Sequence, residues 1–251
     1  MSSKSVSIII PVYNEEKNIE EAIRDTKDAL RGIDDYELVV INDGSTDKTG
    51  EILELLAKKD KHMRLLVHKR NLGFGQTIKD GFAAARKEYV AQFHGDNDAA
   101  GSSLRRMLKE IGKVDLVISY TADSHTRSLP RRVVSKLFVI TMNILFGMNL
   151  RYFNGCFLCR TKLLKSIKLT STGFAIYAEA KVRLLKTDAT YIEVPFEHVG
   201  RKHGESKAVS AKSVVETLHT MWILILDVYG PVGSKSAITT KEKRYQTNLP
   251  R

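Results

Sequence analysis

Residues 37–47 read ELVVINDGSTD. From Leu38 to Ile41 every position is apolar, which suits a strand buried on both faces rather than one with a wet side. Asn42-Asp43-Gly44 then supplies turn chemistry. Ser45-Thr46-Asp47 stands as a capping group before Ile52, Leu53, Leu55 and Leu56, which are spaced as a helix face. A buried strand delivered through a short polar turn into a helix is half of a βαβ unit. If the chain repeats it, the sheet is mainly parallel and its polar turns gather at one edge, where such sheets bind ligands.

The pattern does repeat. Val6 to Ile10 is a β-branched run closed by Pro11, and Glu15 to Leu30 has Ile19, Ala22, Ile23 and Leu30 at helical spacing, with Asn14 as its N-cap. Strands are expected at Met63–Val67, Tyr89–Phe93 and Val114–Ser119, alternating with helices at Thr77–Lys87 and Leu104–Ile111. After residue 120 the grammar changes. Thr121 to Pro130 is turn-rich, Val133 to Phe146 is a strongly apolar helix, and Arg151 to Cys159 is extended. Ala175–Leu185 reads as a helix, Thr190–Val194 as a strand, Pro195–Lys207 as a basic loop and Ser213–Tyr229 as a last helix. This predicts an α/β fold in one domain over 1–232, with a nucleotide-binding half to about residue 120 and an acceptor- and membrane-facing half after it. Residues 233–251 read as a disordered basic tail.

The chain's 251 residues, 43% hydrophobic and 27% charged, suffice for a large core. Forty Lys and Arg against 29 Asp and Glu leave +11, which favours an anionic neighbour such as a phosphorylated ligand or an anionic membrane. The basic residues are dispersed and form no known nucleic-acid module, so no nucleic-acid partner is expected. No window approaches the ~18 uninterrupted apolar residues of a membrane span, and MSSKSVSIII lacks a signal-peptide core. A chain kept in the cytoplasm is expected. Cys156 and Cys159 form a single C-F-L-C with apolar flanks, too few ligands for zinc, and read as buried free thiols.

Four strand ends carry polar clusters: Pro11-Val-Tyr13-Asn-Glu15-Glu16, Asn42 to Asp47, Arg70-Asn71-Leu-Gly73-Phe-Gly75, and Gly95-Asp96-Asn97-Asp98. Each alone is an ordinary turn or cap. In a parallel sheet they converge on one crevice. There Tyr13 is placed to stack on a base and Asp43 to accept hydrogen bonds from a base or ribose. Asp96 and Asp98 offer the hard oxygen ligands that suit Mg2+ or Mn2+ shared with phosphates. Asn71 and Gly73 allow close backbone approach to a nucleotide, although no third glycine completes a dinucleotide fingerprint.

In order and spacing, PVYNEE, VINDGSTD, RNLGFGQTIKDG and DND resemble the family-2 glycosyltransferases with the GT-A fold. Arg201 to Lys207, RKHGESK, is similar to the R-x-x-G-x-S-K segment of the dolichyl-phosphate mannose synthase branch. The resemblance covers roughly residues 5–225. It implies that Pro11, Tyr13, Glu15, Ile41 and Asp43 line a nucleotide pocket and that Asp96 and Asp98, flanking Asn97, hold a metal on the diphosphate. Arg201 and Lys207 then close over the phosphates. The chain departs from that branch where DND runs into Ala99-Ala100-Gly101 and where Asn154-Gly155-Cys156-Phe157 replaces a Thr-Ser-Gly-Phe type stretch.

Transfer to a hydroxyl needs a general base beside the attacking oxygen. Many soluble relatives place a Glu-Asp pair on a late helix, whereas this chain has Ala178-Glu179-Ala180, with Glu179 read as a helix-surface or salt-bridge residue or, alternatively, as one that orients the sugar or a basic side chain. A phosphate acceptor is already anionic and needs cations instead. Arg127 and Arg131 are assigned to the acceptor phosphate, and Asp98, Arg201, Lys207 and Arg131 form the expected catalytic set. The expected partners are a GDP- or UDP-linked sugar, a polyprenyl phosphate and the membrane surface, met by Val133–Met148 and Val214–Tyr229. The alternatives are transfer to a hydroxyl of a glycan or glycerolipid, and nucleotide-sugar binding without turnover.

Overall fold

The computed structural model describes residues 4–95, 101–121, 129–197 and 211–229. Asp96, Asn97, Asp98, Arg127, Arg201, Lys207 and the proposed tail lie outside that set. Arg131 falls in a described helix, but its side chain does not belong to the described set.

Seven strands, β1 (Ser5–Val12), β2 (Asp35–Asn42), β3 (Met63–Val67), β4 (Tyr89–Gln92), β5 (Leu116–Thr121), β6 (Phe157–Arg160) and β7 (Tyr191–Phe196), form one sheet in the order β3-β2-β1-β4-β6-β5-β7. All run parallel except β6, which is antiparallel to both β4 and β5. Among the described residues eight helices accompany them: α1 (Ile19–Ala29), α2 (Thr49–Lys59), α3 (Phe74–Ala84), α4 (Gly101–Leu108), α5 (Leu129–Phe146), α6 (Thr161–Lys165), α7 (Ile176–Leu185) and α8 (Ala211–Tyr229).

Alternation along the central strands divides the core in two. Val6, Ile8 and Ile10 of β1 with Leu38 and Val40 of β2 pack against α1, α2 and α4. Ile9, Val39 and Ile41 face the other way, into a cluster with Ile78 and Phe82 of α3, Met142 and Phe146 of α5, and α7. Both faces are covered, so each of these aliphatic side chains contributes about 1.5–3 kcal/mol by leaving water. Gly81 brings α3 close enough for this: a Cβ there would lie 2.3 Å from Ile9 Cγ2 and 2.9 Å from Ile41 Cδ1.

Several element bounds differ from expectation: α4 lies three residues earlier and α5 begins four residues earlier, and three further differences have a visible local form. α1 begins at Ile19, not Glu15, because Asn14 adopts φ +55° and caps nothing, while the Glu15 carbonyl closes a turn onto the Asn18 and Ile19 amides. α3 starts earlier and stops at Ala84. Beyond it the Arg86 and Lys87 amides bond to the Ser7 hydroxyl, and that of Arg86 also to Glu37. Only Phe157–Arg160 of the extended 151–159 stretch joins the sheet, in reverse direction, and the short α6 follows it unannounced.

Candidate active site

The carboxyl ends of β1, β2, β3 and β4 lie side by side, and the loops leaving the first two are clasped together. Asn14 Oδ1 accepts the Thr46 amide at 2.8 Å, and the Asn14 amide donates to Ser45 Oγ at 3.0 Å. Glu15 N donates to Thr49 Oγ1 at 2.9 Å, Glu16 N to Asp47 Oδ2 at 3.2 Å, and Lys48 N to Glu16 Oε2 at 3.1 Å. Asp47 also accepts the Thr49 amide at 3.0 Å, the capping role read from sequence. Burial alone would raise the Asp47 carboxyl, but these donors hold it below the usual range.

Asp43 organises the third loop. It is 4% exposed, its amide donates to the Val12 carbonyl, and its carboxylate accepts the Leu72 amide at 2.8 Å and the Gly73 amide at 3.0 Å. His68 Nδ1 stands 2.8 Å from the same carboxylate while Nε2 lies 3.1 Å from Asp80, a bridge the sequence reading missed. Gly44, at φ +66°, leaves room for this: a Cβ would sit 2.4 Å from the Arg70 carbonyl carbon. Pro11, Tyr13, Glu15, Asp43, Asn71 and Gly73 therefore come together at one edge, with Tyr13 partly exposed and Asn71 exposed. Ile41 is corrected. It has no exposed surface, and its side chain belongs to the core rather than to a pocket wall.

The glycine-rich segment after β3 packs closely at Gly75. Its tightest backbone approach is to the chain itself, since a Cβ on Gly75 would lie 2.4 Å from Thr172 C and the Gly75 amide donates to the Thr172 carbonyl at 2.9 Å. Residues 170–172 are in turn held by Glu179. That side chain is fully buried and accepts from Thr170 N and Oγ1, Ser171 N and Arg183 Nε, at 2.8–3.1 Å. Of its expected roles, the structure gives Glu179 the salt bridge, to Arg183, together with the loop, and buries it rather than leaving it on the helix surface.

At the end of β4, Gly95 seats the chain against β1: a Cβ there would meet the Pro11 carbonyl at 2.7 Å. Gly95 therefore lies beside the end of β1. A cavity of about 50 Å3 adjoins this point, lined by His94, Ser119, Thr121, Asn154, Cys156 and Phe196 among others. Cys156 Sγ donates to Gln92 Oε1 at 3.0 Å and lies 3.2 Å from His94 Nε2. Both cysteines are free and buried, and burial pushes the Cys159 thiol far up.

Along α5 and α8 the apolar residues point outward as well as inward. Met142, Phe146 and Leu224 are buried, whereas Val133, Leu137, Ile140 and Ile144 on α5 and Val215, Leu218, Trp222 and Leu226 on α8 are exposed, Ile144 by 76% and Trp222 by 60%. Spacings of three, four and seven place each set on one stripe. Tyr229 Oη donates to the Leu145 carbonyl at 2.5 Å, tying the two helix ends together. Among the described residues no helix is long and apolar enough to cross a membrane.

Comparison with known proteins bears on this arrangement. An undecaprenyl-phosphate 4-deoxy-4-formamido-L-arabinose transferase of Pseudomonas fluorescens (strain Pf0-1) is 30% identical over 209 residues, 80% of this chain and 59% of the relative. A dolichol-phosphate mannosyltransferase of Pyrococcus furiosus is 27% identical over 88% of this chain and 63% of its own length. The chain thus spans about three-fifths of the length of these curated relatives. Among solved structures, glucosyl-3-phosphoglycerate synthase from Mycobacterium tuberculosis, in complex with Mn2+, uridine diphosphate and phosphoglyceric acid, superposes with a TM-score of 0.65 at 18% identity. The superposition covers 88% of this chain and 78% of that one, and it establishes the GT-A fold. The model of the family described as "Glycosyl transferase family 2" matches residues 7–178, so this chain belongs to glycosyl transferase family 2.

Proposed function

We propose that the chain moves a hexose, of mannose or glucose type, from a nucleotide-diphosphate sugar to a polyprenyl phosphate, with inversion at the anomeric carbon. The observation that carries this reading is the state of Glu179. Its carboxylate is enclosed and already accepts the Thr170 and Ser171 amides and the Arg183 guanidinium, so it is not placed to take a proton from an acceptor hydroxyl. A phosphate acceptor needs no such base. The undecaprenyl-phosphate and dolichol-phosphate transferases among the relatives support the same choice, and the outward apolar stripes of α5 and α8 suit a peripheral seat at a membrane surface, where such lipids reside.

In this reading a phosphate oxygen of the lipid attacks the anomeric carbon, the bond from that carbon to the diphosphate breaks, and the nucleoside diphosphate leaves. Arg127 and Arg131 hold the incoming phosphate, while Arg201 and Lys207 offset charge on the departing one. Tyr13, with Pro11 and Glu15, borders the base, and Asp43 keeps the Asn71–Gly73 loop in place beside it. The donor set of Asp96 and Asp98, two carboxylates one residue apart, fits a hard divalent cation such as Mg2+ or Mn2+, which would supply charge neutralisation at the diphosphate. Asn97, between them in sequence, is assigned to nucleotide-sugar binding in this proposal.

Transfer from a panel of UDP- and GDP-linked sugars to undecaprenyl phosphate, with and without Mn2+, tests the reading. Metal-dependent product on the lipid phosphate is expected, and Asp98→Asn should abolish it without lowering the melting temperature. Product on a free glycan but not on the lipid would replace the phosphate acceptor by a hydroxyl. Donor binding with no transfer would leave a binding protein.

A further inference from the structure

Lys181 lies in the middle of α7 and has no exposed surface. An ammonium enters such a place only when hydrogen bonds replace its water. Here Nζ donates to the Phe153 carbonyl at 2.8 Å and the Gly155 carbonyl at 2.7 Å, the two that bracket Asn154. The sheet grips the same arc from its other end. Ser119 N and Oγ donate to the Cys156 carbonyl at 3.0 and 2.8 Å, and Cys156 Sγ reaches Gln92 and His94. Gly155 is required by this closeness, since a Cβ would lie 2.6 Å from the Ser119 carbonyl oxygen. The arc lines the cavity at the ends of β4, β5 and β7 together with His94, which touches Cys156 and is followed by Gly95.

We propose that Lys181 is a positioning residue for glycosyl transfer: by clamping the Phe153 and Gly155 carbonyls it fixes the cavity wall at the ends of β4, β5 and β7, the edge at which such sheets bind ligands, and so the alignment of the transferred group. The proposal rests on the transferase reading above. Burial lowers the Lys181 pKa to about 7, partly countered by Cys156 and Glu193. Either protonation state has the two N–H donors the clamp uses. A lysine that merely satisfied two orphan carbonyls would affect stability and leave turnover of the folded enzyme alone.

The test compares the full-length wild type with Lys181→Met, which keeps the volume and removes the donors, and Lys181→Gln, which restores an NH2. Amide hydrogen exchange over 151–156 is read in the free protein, and kcat and donor KM are read with undecaprenyl phosphate and whichever of UDP-glucose, UDP-N-acetylglucosamine or GDP-mannose the wild type uses. In Lys181→Met, exchange should quicken in 151–156 and not in β1 or β2. kcat should fall about 10- to 100-fold, as for a misplacement near 1 Å, with donor KM changed less than about threefold. Lys181→Gln should recover part of kcat. If the Met variant does not fold, Lys181→Gln must still show faster exchange in 151–156 and a lowered kcat. Unchanged exchange in the arc, unchanged kcat, or a rise confined to donor KM would overturn the proposal. Absence of wild-type transfer from all three donors would overturn the transferase reading and the kinetic role with it, even if exchange showed the clamp intact.

Discussion

The two sides of the crevice are held by opposite devices. On the side proposed for the nucleotide, the loops after β1 and β2 are tied by several short polar side chains, exposed at Asn14, partly buried at Ser45 and Asp47 and fully buried at Thr49, each making one to three bonds. On the side proposed for the acceptor, two loops hang from two charged residues of one helix. Glu179 gathers backbone N–H groups of 170–171 and Lys181 gathers the carbonyls of 153 and 155, and neither side chain touches solvent. A redundant clasp loses little when one bond goes. A single buried charge holding several backbone groups has no substitute, because its partners are left desolvated and unpaired.

The largest loss is therefore expected for Glu179→Ala, about 3–5 kcal/mol by analogy with removing one partner of a buried ionic network, measured by urea denaturation. The companion change Arg183→Met should cost less, since Thr170 and Ser171 still satisfy the carboxylate. Equal losses would mean that the ion pair, and not the loop, is what Glu179 serves.

Lys181 adds a pH dependence to the same side. Its folded pKa is lowered to about 7 by burial, against 10.5 for the exposed group. Between those values the unfolded chain binds the extra proton, so stability rises with pH across that window. Below pH 7 both states are protonated and the slope vanishes. Relative to Lys181→Met, the wild type should gain on the order of 3 kcal/mol from pH 7 to 10, read from denaturation at fixed ionic strength. A flat difference would mean that the amine titrates normally and the site admits water.

The strand ends were legible because continuous β-branched runs, Asp-Gly turns and Ser/Thr/Asp caps act locally, and each needs only its neighbours in sequence. Lys181 was passed over and Glu179 half read. In Ile176-Tyr177-Ala178-Glu179-Ala180-Lys181-Val182 the charges look like the wet face of a helix. The available signal was the apolar character on every side of α7, which marks a helix enclosed all round and makes any charge on it a buried one. Ile41 was misplaced for the converse reason: family resemblance assigns it to a pocket, whereas strand alternation puts its side chain into the core with Val39. The outward stripes of α5 and α8 were visible as apolar helices, but which apolar residues stay exposed depends on packing that no local pattern contains.

On the nucleotide side, Asp43 comes nearest to the acceptor-side device, since one buried carboxylate takes two loop amides and a histidine. Asp43→Asn turns an NH2 donor toward those donors, and a loss of about 1–3 kcal/mol is expected, with weaker binding of the nucleoside diphosphate in a thermal-shift titration. If stability falls and nucleotide affinity does not, the Asn71–Gly73 loop has no part in the pocket.

The smallest effect should come from Asn14→Gly, which isolates the clasp. At φ +55° glycine is relieved of the strain an alanine would add, so the variant reports only the lost side-chain bonds to Thr46. Glu15, Glu16 and Lys48 still bridge the two loops through Thr49, Asp47 and Glu16. The expected cost is below about 1 kcal/mol, with nucleotide affinity within twofold of wild type. A loss as large as that of Asp43→Asn would show that the clasp is no more redundant than the buried anchors, and the contrast between the two sides would then have to rest on burial alone.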